Sequence, residues 1–327
     1  MNPALPPLLR QAVDHLLEGV ARADLRMRAA AISDAYRAGR ASGGVVRDRR
    51  DATAYALARL PATYAACARA MAETAQRIPD FAPTHLLDAG AGPGGASWAA
   101  VETWPSITAA TLLDSNPSFL EMAKGLAQAA SGPLAEATLR FADLTAASDW
   151  PSADLVVVSY ALAEIPPARQ IATVATLWAA CEGVLLLVEP GTTDGWRRIL
   201  SAREQLIAAG GQVLAPCPHA LTCPLTNPDW CHFVQRLPRS RDHRQTKAAQ
   251  APFEDEKFSY LAVARPGIAV GPPHARILAP PRYSKPAISL KLCMPQGGLE
   301  TRAVLRRDKA AYALARRLDW GDSWEEA

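Results

Sequence analysis

Three cysteines, Cys217, Cys223 and Cys231, share one short segment, CPHALTCPLTNPDWCH (217–232), and a fourth, Cys293, follows far downstream. Four thiolates are a complete ligand set for a zinc ion or an iron–sulfur cluster. The spacing, C-x5-C-x7-C, is not the paired C-x2-C of a zinc ribbon. It is also not the C-x3-C-x2-C of radical enzymes that cleave S-adenosylmethionine. Proline after Cys217 and after Cys223 favours open loops that can wrap an ion. His219, His232 and His243 leave mixed zinc ligation open. The plainer alternative is four separate buried thiols. Cys67, in a helical stretch, and Cys181, beside a strand, read as core residues.

A second constellation lies upstream, in LLDAGAGPGG (86–95). Gly90, Gly92 and Gly94 permit tight turning and close backbone approach to a ligand, and the helix behind them presents unpaired N–H groups. Three acids stand at strand ends around this loop. Asp88 precedes it, Asp114 closes the next strand in DSNP (114–117), and Asp143 follows the third in FADL (141–144). An acidic ring suits a cationic cofactor better than a pyrophosphate. The region 84–190 resembles the class I S-adenosylmethionine methyltransferases. The resemblance implies that Asp88 and the loop glycines hold the methionine part, Asp114 the ribose and Asp143 the adenine. The alternative is a Rossmann-type turn for another nucleotide, or for none.

The elements that must position these groups alternate. Apolar runs at 84–88, 109–114, 137–142, 153–159 and 183–189 read as strands, with helical stretches near 94–103, 117–130 and 167–180. That alternation predicts a parallel sheet covered on both faces, an α/β Rossmann-like domain over 81–212. Residues 1–80 read as a helical region, with a turn at 41–44 and a fresh helix at Pro61, where Thr63 serves near a cap. The remainder, 213–327, reads as a metal-binding, β-containing extension. Strands are expected at 258–264, 287–292 and 301–306, and a short helix at 308–317. The stretch 267–286, with five prolines, reads as an extended linker or edge segment.

Composition bounds the class. The chain has 327 residues, 49% hydrophobic and 20% charged, as in ordinary globular proteins. The N-terminus has no basic-then-apolar export pattern, and apolar runs such as 184–188 are too short to span a bilayer. A cytoplasmic, non-membrane protein is expected, with thiols reduced and clustered cysteines favouring metal over disulfides. Net charge is +3, but from Arg236 onward 17 Lys/Arg face 10 Asp/Glu, leaving that part +7 and the rest −4. The run RLPRSRDHRQTK (236–247) shows no periodicity and suggests a polyanion partner. The bland reading is a solvated basic face. Ligation could supply folding energy that this loop-rich part lacks, so metal loss is expected to disorder 236–247.

Catalytic signatures are missing. The segment after the fourth strand, SYALAEIP (159–166), lacks the Asn/Asp-Pro-Pro-aromatic pattern of base-amine methylation and the cysteine of pyrimidine carbon methylation. Tyr160 could line a cofactor site and Glu164 could act as a base, or Tyr160 packs and Glu164 caps the next helix. No catalytic residue is assigned.

Further motifs run along nearly the whole chain: ISDAYR (32–37), YALARLPAT (55–63), LLVEPG (186–191), WCHF (230–233), RSRDHR (239–244), EDEKFSYL (254–261) and WGDSW (320–324). With the cysteine segment, these resemble the bacterial relatives of the mitochondrial small-ribosomal-subunit methyltransferase-like assembly factors. The resemblance implies binding to small-subunit ribosomal RNA during assembly. It also implies a [4Fe-4S] cluster on Cys217, Cys223, Cys231 and Cys293. In that reading Arg236, Arg239, Arg241, Arg244 and Lys247 meet phosphates, and the chain is a monomer off the ribosome. Competing readings are an active rRNA methyltransferase, with the extension as substrate-binding domain, and a small-molecule methyltransferase with a metal-bound lid.

Overall fold

The computed structural model describes residues 4–37, 44–146, 150–247 and 249–325. Helices α1 (Pro7–His15), α2 (Arg22–Arg37), α3 (Arg49–Ala58) and α4 (Leu60–Arg77) precede the first strand. The turn expected at 41–44 falls, apart from Gly44, outside the described residues. Pro61 sits in the first turn of α4 as expected, but Thr63 provides no cap, because the helix already begins at Leu60. The buried face of α4 includes Ala62, Ala65, Ala66 and Ala70. Side chains this small let the helix lie close to its neighbours.

The central sheet comprises β1 (His85–Ala89), β2 (Ala109–Asp114), β3 (Thr138–Phe141), β4 (Ala153–Ser159), β5 (Cys181–Pro190), β6 (Gln212–Ala215), β7 (Phe233–Pro238) and β8 (Phe253–Ala264). Its order is β3-β2-β1-β4-β5-β8-β6, with β7 also on β8. Helices α5 (Gly95–Thr103), α6 (Pro117–Ala127), α7 (Pro167–Ala180) and α8 (Thr193–Ala208) connect the strands. Residues 155–158 of β4 and 184–188 of β5 are buried throughout, because core clusters cover both faces of the sheet. Helices alternating with strands on both faces of such a sheet make this a Rossmann-like α/β fold.

The expected parallel sheet is in fact mixed. Strands β1 to β5 are parallel, and β8 runs antiparallel to β5, β6 and β7. The physical reason is the connection: β8 returns from β7 through a hairpin, without the crossover a parallel neighbour requires. Strands β6 and β7 lie end to end along β8. Ala215 stands opposite Ala262 and Phe233 opposite Phe258. Residues 216–232 are thus an excursion that leaves one edge of β8 and rejoins it a few residues away. The run 236–247 is not aperiodic coil: it finishes β7 and forms α9 (Arg241–Thr246), whose cap is Ser240, with Oγ accepting from the His243 N–H at 3.1 Å.

Residues expected as one extension therefore serve two bodies. Strands β7 and β8 complete the central sheet. A second, five-stranded sheet is built from β9 (Ala275–Ile277), β10 (Arg282–Tyr283), β11 (Ala287–Cys293), β12 (Leu299–Leu305) and β13 (Ser323–Trp324), with α10 (Lys309–Ala315) packed on it. Strands β11 and β12, expected at 287–292 and 301–306, pair antiparallel. The stretch 267–286, expected as an extended linker or edge segment, supplies β9 and β10. Among the described residues no helix is long and apolar enough to cross a membrane.

Candidate functional site

Strand order reverses at β1, between β2 and β4, and in open α/β sheets ligands bind at the carboxyl ends of such strands. The loop leaving β1 holds Gly90, Gly92 and Gly94 at φ of 76°, 55° and 87°, a region that side chains rarely adopt. A Cβ on Gly90 would stand 2.5 Å from the Ala161 Cβ, so bare backbone lets the loop lie against the segment after β4. The Gly92 N–H donates to Asp114 Oδ2 and the Asn116 N–H to Asp114 Oδ1, each at 2.7 Å. Asp114 thereby braces the loop from the end of β2, and burial raises its carboxyl.

Asp88 is fully buried. Its Oδ2 accepts from Ser97 Oγ at 2.6 Å, and its Oδ1 has no partner among the described residues. Burial pushes this carboxyl up to about 7, with the Ser97 hydrogen bond opposing and the Asp114 charge adding. Asp143 is exposed, and its Oδ1 accepts from the Thr145 N–H and Oγ1 at 2.8 Å each. Those bonds hold it below the usual carboxylate range. Tyr160 follows β4 at φ 59°, a strained conformation for a bulky residue. Its hydroxyl donates to Glu256 Oε1 at 2.9 Å, the oxygen that Arg59 Nη2 also reaches at 3.2 Å. The turn after β4 is held from below by Glu189. This buried residue accepts from Arg198 Nε at 2.6 Å through Oε2, and the backbone N–H groups of Leu162 and Ala163 pull its carboxyl down. Burial pushes its carboxyl up to about 7 despite those bonds.

The cysteine constellation closes in space. Cys217, Cys223 and Cys231, from the 216–232 excursion, and Cys293, from the end of β11, line one cavity between α8, β8 and the second sheet. Burial is the first cause raising the Cys217, Cys231 and Cys293 thiols, Cys293 to about 12, and neighbouring cysteines push the same way. Two buried arginines face the cavity. Arg203 Nη2 donates to the His219 and Leu221 carbonyls, at 2.7 Å each. Arg276 donates to the Pro216 and Gly321 carbonyls at 3.0 and 2.6 Å, and pairs with Glu73. Arg203 has no carboxylate partner among the described residues, and its charge lowers the Cys217 thiol. Among the described residues no group of three or more His, Cys, Asp or Glu is arranged to hold a metal ion directly, and the four cysteines share only the lining of the cavity. Of the three histidines, His219 Nε2 lies 3.5 Å from Cys293 Sγ, whereas His232 stacks on Trp230 and His243 pairs with Glu254. Cys67 and Cys181 are buried core residues.

The basic run divides. Arg236 makes two bonds to Asp255, at 2.7 and 2.8 Å, while Arg239, His243 and Lys247 share Glu254. Arg241 and Arg244 instead line a cleft with Arg22 and Arg26 of α2.

A family model described as "Mitochondrial small ribosomal subunit Rsm22" matches residues 49–325. The chain belongs to the Rsm22 family. A curated relative, "Ribosome assembly protein METTL17, mitochondrial" from Homo sapiens, is 31% identical over 287 residues, covering 82% of this chain and 61% of its own length. "Rsm22-cox11 tandem protein 2, mitochondrial" from Schizosaccharomyces pombe is 24% identical over 291 residues, 73% of this chain and 38% of its own length. The Rsm22-family chain thus spans less than two thirds of these relatives. Among solved structures, magnesium protoporphyrin IX methyltransferase from Synechocystis PCC 6803, with S-adenosylmethionine bound, shows 15% identity over 71% of this chain and 90% of its own, at a TM-score of 0.39. A likeness that loose adds nothing to the topology. These relatives are named as mitochondrial proteins, which overturns the cytoplasmic location expected from the sequence. That expectation rested on a missing export signal, which separates exported chains from retained ones and does not choose among internal compartments.

Sequence reading of this Rsm22-family chain missed Glu189, Arg203 and Arg276. A signal existed for Arg203, an arginine on the apolar stripe of Ile199, Ala202 and Leu206. None existed for Arg276, whose partner Glu73 lies 203 residues away.

Proposed function

We propose that this chain is a small ribosomal subunit assembly factor that binds small-subunit rRNA, built on an S-adenosylmethionine-binding methyltransferase fold and held by a structural iron–sulfur cluster. The observation that carries the reading is the convergence of three clustered cysteines and a distant fourth on one cavity in a chain of the Rsm22 family. Cys217, Cys223, Cys231 and Cys293 would hold the cluster, which supplies a cross-link between the excursion and the second sheet. The donor set fits: four sulfurs, with buried Arg203 and Arg276 to offset thiolate charge. A zinc ion holds its sulfurs at about 2.3 Å and draws them to one point, whereas a cluster takes them at separate corners of a larger body.

S-adenosylmethionine, when bound, supplies an electrophilic methyl group on a cationic sulfonium. The crevice fits it through the unpartnered Oδ1 of buried Asp88, which suits a cationic amino-acid moiety. Asp114 keeps lone pairs for ribose hydroxyls, and exposed Asp143 stands beyond β3 for an adenine amino group. Tyr160 borders the crevice with its hydroxyl held by Glu256. With the Tyr160 hydroxyl engaged and no catalytic motif in 159–166, we read the crevice as binding cofactor without transferring the methyl group.

The test is anaerobic purification followed by visible absorption, metal analysis and co-sedimentation with small-subunit particles. A brown protein with about four irons per chain that sediments with the particles is expected. Colourless protein with one zinc removes the cluster, and sedimentation apart from the particles removes the assembly role. Labelled methyl transfer to small-subunit RNA, lost in Asp88→Asn, would establish an active rRNA methyltransferase instead.

A further inference from the structure

Four guanidinium groups line one cleft of about 530 Å³: Arg22 and Arg26 from α2, Arg241 and Arg244 from α9. Gln245 and Gln250 add amides, two alanines complete the lining, and no carboxylate or aromatic ring belongs to it. Arg22 acts as a bracket. Its Nε donates to Asp242 Oδ1 at 2.7 Å, and its Nη1 donates to the Leu17 and Val20 carbonyls at 2.6 and 3.0 Å. The bracket clips α2 to α9 and fixes the width of the cleft. Arg26, Arg241 and Arg244 have no ion-pair partner among the described residues.

This contrasts with the other side of the same hairpin. There Asp255 and Glu254 neutralise Arg236, Arg239 and Lys247. Like charges gathered in a concave site repel one another and focus a positive field outward, and an anion entering the cleft relieves that repulsion. The arginines form two pairs, each about one helical turn apart, so their Cβ atoms are about 5–6 Å apart along each wall. Two facing cationic rails suit a repeating anion better than a single one. With no aromatic platform, the cleft has nothing on which bases would stack.

We propose that this cleft holds the phosphodiester backbone of RNA, with Arg26, Arg241 and Arg244 on phosphates and without regard to base identity. The inference rests on the RNA-binding reading above, and it moves the contact from the whole 236–247 run to a surface shared with the N-terminal helices.

Fluorescence anisotropy of the full chain with labelled oligouridylate and oligoadenylate probes tests it. The double variant Arg26→Gln/Arg244→Gln is expected to bind at least tenfold more weakly. Its plot of log affinity against log salt should be shallower by about 1.4, at roughly 0.7 per lost phosphate contact on a single strand. Arg26→Lys/Arg244→Lys should retain most of the binding, both probes should bind alike, and Arg236→Gln should bind as the parent does. Parent-like RNA binding by the glutamine variant overturns the cleft and leaves the RNA reading standing. Absence of RNA binding by the parent at low salt overturns both. Displacement of RNA by polyglutamate at equal charge concentration overturns the cleft in favour of an acidic protein partner.

Discussion

Asp88 is a carboxyl raised to about 7 by burial, with one oxygen unpartnered. Its folded value lies above the ordinary 3.8, so the stability linked to its proton is present below that ordinary value and is lost as pH rises through about 7. In the ligand-free protein, Asp88→Asn should therefore raise the melting temperature more at pH 8 than at pH 5. A cationic cofactor favours the ionised form, so S-adenosylmethionine should bind more tightly at pH 8 than at pH 6 by calorimetry, and Asp88→Asn should bind weakly at both. Arg276 is a second case. It is buried with Glu73 and the two form an ion pair. Arg276→Met leaves that carboxylate buried, with only Arg69 at 3.0 Å to offset it. Denaturant unfolding should show a loss of about 3–5 kcal/mol.

The excursion 216–232 is the element on which the cysteine cavity depends. Both its ends are fixed to β8, and Ser259 Oγ on β8 donates to the Cys231 carbonyl at 2.8 Å. Trp230 Nε1 donates to the Gly191 carbonyl at 3.1 Å, tying the excursion to the turn after β5. Between those points it has no helix or strand, and loops of this length without secondary structure are held by a ligand or left mobile. The basic run was expected to disorder on metal loss, but its β7 portion is laddered to β8 and α9 is capped by Ser240. Cys231→Ser should therefore remove the iron and speed hydrogen exchange within 216–232, while amides of β7 stay protected.

Across the whole molecule, the LLVEPG motif connects the two sites: Glu189 lies against the turn after β4, beside the glycine loop, and Gly191 carries Trp230 of the cysteine segment. The second sheet has its own small core and joins the central body through Cys293, Arg276–Glu73 and Arg69–Asp322. The proposed cluster would add a covalent bridge across that joint and stabilise only the folded arrangement. Calorimetry of the cluster-loaded chain should give one transition. The cluster-free chain should give a second, lower-temperature transition for the β9–β13 sheet.

Much of the framework was legible locally. Strands β1, β2, β4 and β5, helix α7 and the glycine loop follow from apolar period, proline placement and turn residues, all set by contacts within a few positions. The acids Asp88 and Asp114 were legible because a strand end is a local landmark. The place of β8 between β5 and β6 was not, since its apolar run fits any buried strand and the neighbour is chosen by global packing. Cys293 is similar: its type announces chemistry, but only β11 pairing with β9 delivers it to the other three. The basic run shows the same limit for charge. Lys and Arg are countable in order, yet Asp255 and Glu254 decide which of them are neutralised, and Arg22 and Arg26 enter the cleft from more than 200 positions away. Short-range pattern is written in neighbouring side chains, whereas burial and charge pairing depend on which distant surfaces exclude water together.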